Sequence, residues 1–177
     1  MDLIKPQTPR QWLQIYWCYR EAFPVSERKP FQIIAKMVRQ GRSDIWYFRK
    51  NGAFAGFAST VNGDGLILLD YFAVTKHGRG QGIGTQALMQ LQHIYSDKGL
   101  FVEIERVCPE AENYAQRQKR RDFYLRCAME PLHTQADVFG VEMELLGSRC
   151  TMTFRQYRDF YRDHYSPWAA EHIKEIE

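Results

Sequence analysis

Three closely spaced glycines between positions 80 and 84 separate two segments with different hydrophobic patterns. The segment before them, Leu66–Val74, is a short apolar run that predicts a buried strand. The segment after them, from position 83 to 98, has helical spacing with Gly99 as its stop signal, and Phe101–Val107 again reads as a strand. This strand–helix–strand crossover requires a parallel pair of strands and is expected to be right-handed.

Two helices are predicted upstream of this crossover. Thr8–Gln11 combines a capping threonine, a proline suited to the first helical position and a glutamine that can complete a capping box. Pro24 ends this first helix. A second helix begins at Pro30, and Gly41 is its stop signal.

An antiparallel meander of three strands is predicted between the second helix and the glycines. The strands are Asp44–Lys50, Ala53–Val61 and Leu66–Val74. Asn51–Gly52 is a strong two-residue hairpin signal, and a glycine-rich turn over positions 62 to 65 makes the next connection.

The remaining chain adds further helices and one hairpin. A helix follows Pro109 and runs through Tyr124, a hairpin over Leu132–Leu146 breaks near Gly140, and a last helix begins near Phe154. We therefore expect an α/β (α+β) protein with a mixed sheet, and one domain over residues 1–177.

Composition excludes several classes of protein. The 177 residues carry 24 Lys+Arg against 21 Asp+Glu, and a net charge of +3 does not indicate a nucleic-acid or membrane-surface protein. The apolar runs are too short to span a bilayer, and the N-terminus does not resemble a signal peptide. The four cysteines form no Cys-x-x-Cys pair, so we expect no zinc site and a reduced, cytoplasmic compartment.

The glycine-rich loop is the segment most suggestive of chemistry. Backbone amides exposed at the start of the following helix, together with the helix dipole, can hold a diphosphate. The loop is neither a P-loop, since no Gly-Lys-Ser/Thr follows, nor a dinucleotide fingerprint, since its third glycine comes one residue too early. The structural alternative is a turn that only packs a helix on a sheet.

The segment Arg79–Gly84 resembles the Gln/Arg-x-x-Gly-x-Gly/Ala loop of the GNAT superfamily of N-acetyltransferases. Asn113 and Tyr124 stand where that family often has an Asn and a Tyr, and the close resemblance covers about residues 66 to 128. Arg120–Tyr124 also resembles a segment of an uncharacterised bacterial branch. The resemblance implies a GNAT-like mixed, largely antiparallel central sheet flanked by helices, with a parallel strand–helix–strand cofactor-binding core.

The resemblance also implies acetyl-CoA as cosubstrate. The loop amides and Arg79 would hold its diphosphate, the backbone around Val74 would pair with the pantetheine arm, and the Val74 N–H would stabilise the thioester oxygen. The implied cofactor-binding residues are Phe72, Ala73, Val74, Arg79, Gly80, Gln81, Gly82, Ile83, Gly84, Thr85, Asn113 and Tyr124.

Tyr124 is also the implied acid that protonates the departing thiolate; the alternative is an aromatic that only packs on pantetheine. The base is not assigned, because the position where some family members carry a Glu is Leu68 here. Glu105, Glu27 and Asp70 are the candidates, in that order, and a salt bridge is the alternative for each.

The expected activity is transfer of an acetyl group from acetyl-CoA to a primary amine of a small molecule or peptide. The alternative is a non-catalytic acyl-CoA-binding regulatory module. A basic segment, Gln116–Arg126, leaves a nucleic-acid partner as a weaker hypothesis, against a solvated helix face. The rings over Phe154–Tyr165 are expected to pack in the core, although an exposed aromatic face could support a homodimer.

Overall fold

The computed structural model describes residues 1–176, which form two compact units. The first unit comprises Met1–Asn62 and Leu69–Ile94, and the second comprises Gly63–Leu68 and the chain from Tyr95 on. One strand, Leu66–Val74, contributes residues to both units.

The first unit contains three helices and most of four strands. Its elements are β1 (Asp2–Ile4), α1 (Pro9–Ala22), α2 (Phe31–Arg39), β2 (Ser43–Lys50), β3 (Ala53–Asn62), the greater part of β4 (Leu66–Val74) and α3 (Ile83–Ile94). The second unit contains β5 (Gly99–Glu105), α4 (Tyr114–Arg126), β6 (Glu130–Val138), β7 (Val141–Ser148), α5 (Phe154–His164), α6 (Pro167–Glu171) and β8 (Ile173–Glu175).

The strands follow the order β1-β2-β3-β4-β5-β7-β6-β8 in an eight-stranded sheet. The sheet is largely antiparallel, and β4 pairs with β5 in parallel. The predicted fold class, the meander of β2 to β4 and the parallel crossover through α3 are confirmed.

Local capping explains where α1 begins. The Thr8 side chain accepts a hydrogen bond from the Gln11 N–H at 3.3 Å, and the Gln11 side chain accepts from the Thr8 N–H at 3.1 Å. This is the predicted capping box. Apolar side chains of α1 and α2, including Ile15, Tyr19 and Ile34, are buried with Phe57 in the core of the first unit.

Three boundaries differ from the sequence prediction. Helix α3 ends at Ile94, and Gly99 begins β5 instead of ending the helix. Gly99 pairs with Leu66, and a Cβ on Gly99 would lie 2.4 Å from the Cβ of Cys150, so close packing in the sheet requires this glycine. Helix α4 begins at Tyr114, several residues after Pro109.

The short edge strands β1 and β8 are not signalled by the sequence. Each has three residues, too few to show an alternating pattern. Among residues 1–176, every helix is too short or too polar to cross a bilayer.

Candidate functional site

The loop between β4 and α3 contains two glycines in left-handed backbone conformation. Gly80 has φ +74° and Gly82 has φ +70°, a region that favours glycine. A Cβ on Gly80 would have no neighbour within 4 Å, and a Cβ on Gly82 would meet only the Gln86 side chain, at 3.9 Å. The loop therefore needs glycine for its conformation and leaves open space above the backbone.

The N-terminus of α3 has backbone donors free of helical acceptors. The Gln86 N–H donates to the Gly82 carbonyl at 3.0 Å, which starts the helical hydrogen bonding. The preceding amides, from Ile83 to Thr85, have no acceptor within the helix, and Gly82 has no side chain that could cap them. The Gln81 side chain donates to the His77 carbonyl at 2.7 Å and braces the loop.

Positive side chains surround this loop. Arg79 is exposed, Lys76 pairs with Glu21 at 2.7 Å, and the Lys50 Nζ contacts the Gln81 carbonyl oxygen at 3.5 Å. Open space, unshared amides and nearby cations fit a diphosphate group, so the residues present match the expected CoA-type ligand.

Near Val74, one hydrogen-bonding edge of β4 faces β3 and the other edge faces away from it. The Thr75 N–H donates to the Ala55 carbonyl at 3.0 Å, and the Ala73 carbonyl faces Gly56 on β3. Because alternate residues direct their polar groups to opposite edges, the Val74 N–H faces the other edge. The parallel ladder on that edge ends at Leu68, six residues earlier.

Of the candidate bases in the first unit, Glu27 lies in the connection between α1 and α2, and Asp70 contacts that connection through Lys29. The Lys29 Nζ lies 2.7 Å from Asp70 Oδ1, and the Asp70 side chain is 10 % exposed. The Tyr71 hydroxyl donates to the Glu27 carbonyl at 2.9 Å and accepts from the Lys29 N–H at 3.1 Å. Burial raises the pKa of Tyr71, so this hydroxyl stays protonated. The Glu27 side chain is exposed.

The third candidate base, Glu105, lies in a network of the second unit. Its carboxylate is 2.9 Å from Arg117 and 3.2 Å from Arg120. The Asn113 side-chain amide contacts the same carboxylate at 3.4 Å, and its oxygen accepts from Arg117 Nε at 2.7 Å. The structure therefore brings Glu105 and Asn113 together, with salt bridges around the acid.

Tyr124 is buried on α4, and its ring packs edge-on against Phe123 at 5.1 Å between centroids. Burial raises the pKa of the Tyr124 hydroxyl, and the Arg120 charge lowers it to a smaller extent. Among residues 1–176, nothing hydrogen-bonds to this hydroxyl. The group is a protonated donor with no acceptor among these residues.

Sequence reasoning missed the partners of these acids. Lys29, Arg117 and Arg120 carry no local signal of their role, because each meets its acid through the packing of separate elements. Arg121 likewise pairs with Glu144 at 2.8 Å, so much of the basic segment is neutralised by strand carboxylates.

A sequence profile described as the Acetyltransferase (GNAT) family matches residues 10–129, about two thirds of the chain. The chain belongs to this family. The predicted GNAT membership is confirmed, and an acyltransferase activity is supported by the family as a whole.

One relative of this GNAT protein supports the family assignment. YjbC of Bacillus subtilis (strain 168), a protein assigned to the acetyltransferases, is 32 % identical over 111 residues, which cover 60 % of this chain. Those residues cover 51 % of YjbC, so the match spans about half of that relative.

Solved structures show the shared fold. A GNAT-family protein from Bacteroides thetaiotaomicron gives a TM-score of 0.77 at 17 % identity, covering 96 % of this chain and 99 % of its own. An aminoglycoside 6'-N-acetyltransferase complexed with coenzyme A gives 0.68 at 12 % identity, covering 84 % of this chain and 96 % of its own. An acetyltransferase from Bacillus subtilis in complex with CoA also shares the fold, with a TM-score of 0.60 at 12 % identity, covering 82 % of this chain and 95 % of its own.

Proposed function

We propose that this GNAT protein transfers an acetyl group from acetyl-CoA to a primary amine of a small molecule or peptide. The observation that carries the proposal is the loop at Gly80 and Gly82, where open left-handed backbone leads into an uncapped helix N-terminus. Bound acetyl-CoA supplies an activated acyl thioester, and the residues of this chain bind and orient it.

The loop would hold the diphosphate. The amides of Gln81 to Thr85 donate to phosphate oxygens, and the partial positive charge of the α3 N-terminus favours the anion. Arg79 adds a full positive charge from an exposed position. The glycines at 80, 82 and 84 keep side chains out of the space that the phosphates occupy.

Strand β4 would hold the pantetheine arm. The backbone of Phe72, Ala73 and Val74 pairs with it as with an added strand. The Val74 N–H, which faces the edge away from β3, donates to the thioester oxygen as negative charge develops there. Asn113 contacts the ligand from α4 in this proposal.

Tyr124 would donate the proton that the departing thiolate takes up. Its hydroxyl is protonated at neutral pH because burial raises its pKa, and it has no acceptor among the described residues. A hydroxyl that is protonated and not hydrogen-bonded to these residues suits general acid catalysis.

Glu105, Glu27 and Asp70 are the proposed sources of the general base. A lysine-like amine is about one part in a thousand neutral near pH 7.4, so proton removal assists attack. Glu105 and Asp70 are held in salt bridges, and Glu27 is exposed. The test measures the rate against pH for Glu105→Gln, Glu27→Gln and Asp70→Asn. The residue that acts as the base is the one whose substitution abolishes the rise in rate that accompanies its ionisation.

Calorimetric titration with acetyl-CoA tests the proposal. We expect micromolar binding by the wild-type protein and at least about tenfold weaker binding by Gly82→Asp, because the new carboxylate repels phosphate. Gly82→Asn has the same backbone requirement without the charge. Gly65→Asp is the matched control, since Gly65 has φ +77° and open surroundings in a different turn.

Failure of the folded wild-type protein to bind acetyl-CoA would refute the proposed function. Tight binding without turnover over a broad amine panel would instead favour the non-catalytic acyl-CoA-binding module, which needs the loop but neither acid nor base.

A further inference from the structure

A pocket of ≈ 270 Å³ lies at the connection between α1 and α2, within the first unit. Its lining includes three cationic side chains, Arg20, Arg28 and Lys29, and no acidic residue. Asp70 on β4 pairs with the Lys29 Nζ. The pocket wall is therefore positively charged.

Arg28 is the unusual member of this set. Its Nε is buried, and no hydrogen-bond acceptor for that atom is present in residues 1–176. No carboxylate in the same residues forms a salt bridge with its guanidinium. A buried donor of a charged group is costly when it lacks an acceptor, so a turn of the Arg28 side chain that brings this donor to an oxyanion in the pocket would recover that cost.

The start of α2 contributes further donors to the same pocket. Pro30 is the residue before the helix, it has no side chain that can cap, and the first turn contains no acid. Phe31 and Gln32, the first residues of this nine-residue helix, line the pocket. The backbone amides of these two residues have no acceptor within the helix, and they add to the positive potential at Arg28.

Aromatic rings form the apolar part of the wall. The rings of Tyr16 and Phe31 meet edge to face at 5.3 Å between centroids, and both line the pocket. Arg20 lies over the Tyr16 ring at 5.7 Å and donates to its hydroxyl at 3.2 Å, which holds this cation at the rim.

We infer that this pocket binds the carboxylate or phosphate of a small molecule through Arg28 and the α2 N-terminus, with the molecule's apolar part against Tyr16 and Phe31. The amine acceptor of the transfer reaction is then a compound that carries an oxyanion. This last step rests on the proposed function, whereas the binding site itself does not.

The connection that carries Arg28 is tied to the proposed cofactor strand. Lys29 pairs with Asp70 on β4, and the Tyr71 hydroxyl bonds to the backbone on both sides of Arg28. Asp70 precedes Val74 by four residues, about 13 Å along a strand. An amine attached to an oxyanion anchored at this connection is thus directed toward β4.

Binding is tested first, without acetyl-CoA. Benzoate and inorganic phosphate serve as separate probes, titrated into the ¹⁵N-labelled protein and followed by NMR. We expect saturable shifts at Phe31 and Gln32 in the low millimolar range for at least one probe. Arg28→Gln should weaken that binding at least about tenfold, because it removes a charged hydrogen-bond donor. Arg28→Lys should retain part of it.

Arg39→Gln is the matched control, because Arg39 is an exposed arginine of α2 that does not line the pocket. All three variants should bind acetyl-CoA like the wild-type protein. Absence of binding of both probes, or equal binding by folded wild-type and Arg28→Gln proteins, would overturn the inference.

Acceptor chemistry is tested next with matched amines. Phenylalanine against phenylalaninamide, and O-phosphoethanolamine against ethanolamine, differ in the oxyanion and separate carboxylate from phosphate recognition. In at least one pair, we expect the amine that carries the oxyanion to have the higher kcat/KM. Arg28→Gln should lose this advantage through a higher KM. Equal rates within both pairs would refute the acceptor assignment. Probe binding without acetyl transfer to any amine of a broad panel would count against the proposed function and leave the anion site standing.

Discussion

Lys29 and Asp70 form a salt bridge of 2.7 Å between Nζ and Oδ1, and the Asp70 side chain is 10 % exposed. This contact joins the α1–α2 connection to the middle of β4. Because Lys29 compensates the charge of Asp70, an acid can lie in this otherwise apolar strand. The same strand carries Val74, so the pair links the proposed anion pocket to the proposed cofactor strand.

Replacing Asp70 with Asn should lower the free energy of unfolding by about 2 kcal/mol, because a largely buried cation–anion contact is broken. Urea denaturation measures the loss. Asp163→Asn is the control: its pair with Arg162 is exposed on both sides, and its loss should change the free energy of unfolding far less. Equal losses in the two variants would contradict a structural role for the Lys29–Asp70 pair.

Stability should fall as pH rises above 10. Burial, and for Tyr157 also the Glu103 charge, raises the pKa of Tyr71, Tyr124 and Tyr157 above the unfolded value of 10.0. The folded protein then holds protons that the unfolded chain has released, so stability is fully present below pH 10 and is lost above it at about 1.4 kcal/mol per pH unit for each tyrosine. Denaturation from pH 8 to pH 11 at ~25 °C measures the slope.

Tyr157→Phe should reduce that alkaline slope. The Tyr157 hydroxyl donates to Glu103 at 2.7 Å, beside a second hydroxyl from Tyr161 at 2.9 Å. The variant should also lose about 1.5–3 kcal/mol at neutral pH, since a hydrogen bond to a charged group is removed. An unchanged slope would show that Tyr157 does not keep its proton in the folded state.

Tyr124→Phe should lower kcat about 100-fold and leave acetyl-CoA binding within about twofold of the wild-type protein, because general acid catalysis acts on the chemical step. Tyr114→Phe is the control on the same helix, and Tyr114 is 40 % exposed. Steady-state kinetics with single-turnover measurements separates the chemical step from product release. Unchanged turnover with chemistry shown to be rate-limiting would remove Tyr124 as the acid.

Much of the fold follows from short-range signals in the sequence. The capping box of Thr8–Gln11 starts α1 where the residues predict, and Asn51–Gly52 adopts the two positive φ values that its hairpin needs. The glycine-rich loop was also predicted, because a strand that turns into a helix with open backbone requires residues without side chains. Such signals act within a few residues and can be read from the chain directly.

Tertiary structure alone decided which partner each acid meets. Asp70 pairs with Lys29 across 41 residues of sequence, and Glu103 accepts from Tyr157 across 54. It also decided that β1 and β8 complete the sheet, and that the buried Nε of Arg28 has no acceptor within residues 1–176. Contacts of this kind depend on how distant elements pack, and the residues that make them carry no local pattern. The sequence by itself therefore determined most of the elements, the glycine-rich loop and the family, whereas packing determined the electrostatic environment of each candidate residue.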